Sequence, residues 1–106
     1  MQTIIIDVGV YTSFGVDLTD DSINLANGDK FILAIKNSVN DSGFGIITRE
    51  FIGKKIHEVL ITPEESRMIN KGAVYDIVQI NAYDECFKII ENGGINLYRG
   101  VYQCNS

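Results

Sequence analysis

Apolar positions along the chain recur with the two-residue period of strands, in short runs separated by turn residues at intervals of about 10 to 15 positions. Residues 3–10 are rich in β-branched side chains (Thr3, Ile4, Ile5, Ile6, Val8) and are broken by Gly9, which predicts a strand able to pair at a sheet edge. Residues 14–18 alternate apolar with small or polar side chains, as a short strand or bulged edge does, and Thr19-Asp20-Asp21-Ser22 reads as the turn after it. Beyond the Asn27-Gly28-Asp29 turn, Phe31, Leu33 and Ile35 share one face while Lys30 and Lys36 share the other, the clearest half-buried strand in the chain. Residues 39–45 form a loop with Phe44 at its tip. Two further strand-like runs, 46–52 and 54–61, predict a hairpin about Gly53-Lys54.

One stretch departs from this period. In Thr62-Pro63-Glu64-Glu65, Thr62 can cap a helix, Pro63 suits its first position and Glu65 completes a capping box; Lys71-Gly72 supplies the matching end. A helix of about two turns around residues 63–70 is expected, held by Met68 and Ile69 as a crossover that bridges two sheets. Residues 73–82 are apolar on both faces, so they read as a central strand with Tyr75 in the core. A turn at Ala82-Tyr83-Asp84-Glu85 leads into residues 86–91, and Asn92-Gly93 is the strongest two-residue hairpin signal. The last strand is expected over residues 95–103, with Ile95, Leu97 and Val101 on one face and a bulge at Arg99-Gly100. The whole specifies an all-β sandwich, and 106 residues suit one domain, 1–106, with one core.

Charge narrows the partners. A net charge of −5 and a lone basic pair, Lys54-Lys55, argue against nucleic acid. The apolar runs are far shorter than the roughly 20 residues of a membrane span, and the N-terminal residues lack a secretory pattern, so no membrane partner is expected and the cytoplasm is the default location. Cys86 and Cys104 lack metal or redox spacing and read as free, partly buried thiols. His57 is the only histidine and has no nucleophile beside it; the glycines around Phe44 lack the last glycine of a phosphate loop. Asp17, Asp20 and Asp21 do not match a calcium loop. No catalytic set, metal or cofactor is therefore expected. Aromatic residues near turns and strand ends, among them Tyr11, Phe14, Phe44, Tyr83, Tyr98 and Tyr102, suit contact with other proteins, and Phe44, Tyr83, Tyr98 and Tyr102 are the candidate partner contacts.

From Ile61 onward the features come in a familiar order: Ile61-Thr62-Pro63-Glu64-Glu65-Ser66, then Ile69, Gly72, Tyr75-Asp76-Ile77, Ile90-Glu91-Asn92-Gly93 and Ile95-Asn96-Leu97-Tyr98-Arg99-Gly100-Val101. This series resembles the immunoglobulin-like domain of phage baseplate upper proteins, over about 40 residues. The resemblance implies an immunoglobulin-like antiparallel β-sandwich. It also implies a non-catalytic structural module of a phage or prophage tail or baseplate. Such a module would sit in the bacterial host cytoplasm during assembly and in the virion as a tail component. Its expected partners are other phage structural proteins and further copies of itself. It carries over no catalytic residues. A small carbohydrate- or ligand-binding β-sandwich that uses the same tyrosines as stacking platforms is the alternative.

Overall fold

The computed structural model describes residues 2–19, 29–39, 45–53 and 55–99. The elements are β1 (Ile4–Asp7), β2 (Thr12–Asp17), β3 (Lys30–Lys36), β4 (Ile47–Ile52), β5 (Ile56–Ile61), α1 (Pro63–Arg67), β6 (Val74–Ile80) and β7 (Cys86–Tyr98). A five-stranded sheet runs in the order β1-β7-β6-β3-β4, and β2 and β5 form a two-stranded ribbon. The fold is all-β and sandwich-like. Every pairing is antiparallel except β1 with β7, which run parallel and make the large sheet mixed.

Alternation sets the core. Phe31, Leu33 and Ile35 on β3, Ile4 and Ile6 on β1, and Tyr75 and Ile77 on β6 are all buried. Val16, Val59 and Ile61 of the ribbon and Ile69 after the helix are buried in the same cluster. Each such side chain contributes about 1.5–3 kcal/mol on leaving water. Tyr75 reaches the edge of the core, where its hydroxyl donates to the Gln2 carbonyl and fixes the chain just before β1.

The helix forms where its caps predict, but it is shorter than two turns. Thr62 Oγ1 accepts from the Glu65 N–H at 3.1 Å and Glu65 Oε1 accepts from the Thr62 N–H at 3.1 Å, a complete capping box. Ile69 is buried as expected, whereas the Met68 side chain is half-exposed and its carbonyl accepts from the Asn37 amide at 3.3 Å. The anchor is Ser66, fully buried, whose Oγ accepts from the Gly9 N–H at 2.9 Å and donates to the Pro63 carbonyl at 2.7 Å. α1 therefore clamps the β1–β2 connection while carrying the chain from ribbon to large sheet.

Two expected hairpins are not formed. β4 pairs with β3 and β5 with β2, so Gly53, at φ 99°, marks a corner between sheets and not a hairpin turn. Its N–H donates to the Asp29 carbonyl at 3.2 Å. A short Gly-containing link permits either geometry; the corner sends the apolar side of β5 across the inner face of the large sheet. Asn92-Gly93 lies inside one 13-residue strand. Between the pairs Tyr75↔Gly93 and Ile77↔Ile90 the register shifts, so β7 contributes an extra residue. Asn92 absorbs it at φ 54°, with its N–H held by Asp76 Oδ1 at 2.8 Å. The left-handed preference that suits Asn to a hairpin serves a bulge here. The last strand ends at Tyr98, and the bulge expected at Arg99-Gly100 lies outside the described residues.

Candidate functional site

The turn at residues 81–85 is built from one asparagine. Asn81 Oδ1 accepts from the Tyr83 N–H at 2.9 Å and from the Glu85 N–H at 3.0 Å. The Asn81 N–H meets the Glu85 carbonyl at 3.1 Å, and Asp84 takes φ 61°, the left-handed residue of a three-residue hairpin loop. Tyr83 stands on this braced turn with 84% of its surface exposed. Below it on β7 Cys86 is exposed on the outward face of the sheet, and Phe87, on the inner face, is about half exposed because among the described residues the two-stranded ribbon does not extend over the end of the β6–β7 hairpin. The hairpin is an arm with an aromatic tip.

Tyr98 is also exposed, but at the other end of β7. A 13-residue strand spans roughly 40 Å at ~3.3 Å per residue, close to the 45 Å longest dimension of the molecule. Tyr83 and Tyr98 therefore cannot share a site. Phe44 and Tyr102 lie outside the described residues. Tyr11 is exposed, and Phe14 packs in part against the core.

Beside Tyr98 an open notch of about 700 Å³ is lined by Lys71, Gly72 and residues 95–99 of β7 and its end. It exists because β6 begins at Val74, opposite Gly94, while β7 continues past it. Lys71 and Arg99 give it positive charge and Tyr98 an aromatic wall, so the notch suits an extended acidic segment or a sugar ring.

The remaining candidates for chemistry hold the fold together. His57 is buried, stacks on Phe51 with ring centroids 4.9 Å apart, and its Nε2 lies 2.9 Å from the Gly53 carbonyl. The carbonyl only accepts, so Nε2 is the donor in this contact. Asp29 and Gln79 are buried, and the Gln79 amide donates to the Asp29 carboxylate. Burial by itself would raise the pKa of Glu65, but Arg49, donating to both carboxylate oxygens at 2.6 and 2.7 Å, and the Thr62 bonds outweigh it and hold Glu65 below the ordinary carboxylate range. Burial pushes the Tyr75 hydroxyl up. Cys86 is a free thiol and exposed, where a partly buried one was expected; Cys104 lies outside the described residues. Among the described residues no group of three or more His, Cys, Asp or Glu could hold a metal, and no helix is long and apolar enough to cross a membrane.

Sequence reasoning missed Phe87 and the outward row of the large sheet. No local pattern marks them, since Phe87-Lys88-Ile89 alternates like any half-buried strand. No protein-family model, characterised protein or solved structure matches the chain.

Proposed function

We propose that the protein is a non-catalytic structural module of a phage or prophage tail or baseplate that holds neighbouring subunits by non-covalent burial. The observation that carries the binding part is the β6–β7 arm, where Tyr83 projects from a hydrogen-bonded turn and Phe87 stands about half exposed on the strand that follows it. Aromatic side chains on a rigid support give large contact at small entropic cost, as interface hot spots do. The phage setting rests on the motif series from Ile61 to Val101 alone. Its partners would be other structural proteins of the particle, met in the host cytoplasm during assembly and kept in the virion. An acidic chain of net charge −5 is poorly suited to a nucleic-acid partner.

Electron microscopy and quantitative blotting of particles assembled with the tagged full chain test this reading. The Tyr83→Ala, Phe87→Ala double variant is expected to remain folded by circular dichroism and to lose about ten-fold or more in incorporation. Undiminished incorporation of the variant overturns the arm as the contact, and a wild-type chain found in no particle overturns the module itself.

The notch beside Tyr98 favours a second reading, a carbohydrate- or ligand-binding module. A glycan array separates the two: specific sugar binding lost in Tyr98→Ala supports the second, and an array without binding leaves the first.

A further inference from the structure

The outward face of the five-stranded sheet is complementary to itself. Residues opposite one another across four strands form rows: Lys88, Val78, Ile32 and Glu50 in one, and Cys86, Ile80, Lys30 and Ile52 in the next. The first row thus has a cation on β7, an anion on β4 and two apolar side chains between them. Ile52 is 63% exposed, and Ile32, Val78 and Ile80 are only partly buried. Three ion pairs frame the rows: Lys30 with Glu50 at 3.2 Å, Lys36 with Asp76 at 3.2 Å and Lys88 with Glu91 at 3.4 Å. These cations and anions cancel, on a chain whose net charge is −5. A second acidic copy therefore meets no net repulsion from them.

We infer that a second copy of this chain docks on this face about a two-fold axis running along the strands between β6 and β3. Such an axis exchanges β7 with β4 and β6 with β3 and keeps each row in place. Lys88 of one copy then faces Glu50 of the other, twice by symmetry, with Val78 over Ile32 between them. In the next row Cys86 faces Ile52, and Ile80 covers the aliphatic stem of Lys30. Neither row opposes like charges. An axis running across the strands through the first row would set Lys88 on Lys88 and Glu50 on Glu50, so the charge pattern selects between the two geometries. Aligned sheets cross at about 30°, a rotation that residues this close to the axis accommodate.

A second copy as partner deepens the assembly reading, on which it rests, by naming the surface and its symmetry. Four strands ~4.8 Å apart and about seven residues of ~3.4 Å each make a patch of roughly 450 Å² per copy. That is below the ~800 Å² per partner of a standard interface, so the dimer is weak and salt-sensitive.

Sedimentation equilibrium of the full chain between about 10 μM and 1 mM, the range a patch of this size calls for, tests the pairing. The wild type is expected to dimerise in a concentration-dependent way. Glu50→Lys and Lys88→Glu each place like charges at two symmetric contacts and are expected to weaken the dimer about ten-fold or more. Combining them restores opposite charges, and the double variant is expected to recover to within about three-fold of the wild type. Circular dichroism checks that each variant is folded; Glu50→Gln and Lys88→Gln, which only delete charge, replace any that is not, with a smaller loss expected. A chain that stays monomeric throughout, charge variants that dimerise undiminished, or a double swap without recovery overturns the inference. Particle incorporation keeps the two proposals apart: Glu50→Lys that is monomeric yet incorporated supports this inference and leaves the assembly reading standing, while a wild-type dimer found in no particle overturns only the assembly reading.

Discussion

The two halves of β7 share an apolar-polar-apolar pattern and have different surroundings. Near its C-terminal end, β7 pairs in parallel with β1, Ile95 and Leu97 pack against the core and Gly93 lies buried against the Tyr75 ring. Toward its start the strand pairs, among the described residues, only with β6; Ile89 and Ile90 still pack in part against the core, and Phe87 is about half exposed. Phe87-Lys88-Ile89 and Ile95-Asn96-Leu97 read alike. What differs is what stands opposite. β1 borders the C-terminal half of the strand, and among the described residues no strand stands in that place beside Phe87. Burial, and with it stability, is greatest where Gly93, Ile95 and Leu97 meet β1 and the core; the arm exposes apolar surface at Phe87, as Tyr98 does at the far end.

Substitutions can break that contrast, and the largest effect comes first. Ile6→Ala empties a fully buried position and is expected to cost about 3 kcal/mol in urea denaturation, whereas Phe87→Ala is expected to stay within about 0.5 kcal/mol. Equal losses would mean that the arm is as covered as the core. Next, a Cβ at Gly93 would collide with the Tyr75 ring, so Gly93→Ala should cost about 2 kcal/mol. Gly94→Ala is the control, since its nearest neighbours are Thr3 atoms no closer than 3.5 Å, and its cost should stay below about 1 kcal/mol. A Gly94 variant as damaging as the Gly93 one would show that the bulge, and not the ring, sets the requirement.

Smaller effects sharpen the picture at α1. Thr62→Ala removes the cap and should cost about 1 kcal/mol, read as a lower midpoint of thermal unfolding. Glu65 adds a pH signature. Its folded pKa lies below its ordinary value of 4.5, so the stability it contributes is fully present above that value and is lost as the pH falls through the lowered folded value. The wild type should therefore lose its advantage over Glu65→Gln as the pH drops below about 4.5, in denaturation curves taken at a series of pH values. A difference that stays constant across that window would remove Glu65 from the linkage.

Much of the fold was legible because it depends on local pattern. Phe31, Leu33 and Ile35 alternate with polar neighbours and are buried, Tyr75 is in the core, and Thr62, Pro63 and Glu65 form the cap their spacing predicts. The errors fall where a local signal admits two outcomes. Gly53 suits a hairpin or a corner, and Asn92 suits a turn or a bulge, because each motif supplies only a backbone conformation. Of the candidate contacts, Tyr83 and Tyr98 are exposed, but sequence spacing could not show that a single extended strand holds them at opposite ends.

By itself the sequence determined strand positions, the helix cap and which face of β3 turns inward, since these follow from the two-residue period and from hydrogen bonds between near neighbours. Only the tertiary structure decided that β4 and β5 part into different sheets, that β7 runs unbroken past Asn92-Gly93, and that Phe87 is left about half exposed where Leu97 packs against the core. The physical reason is that burial is a relation between distant segments. A side chain's own neighbours along the chain settle which way it points, and only the packed layers settle whether anything is there to meet it.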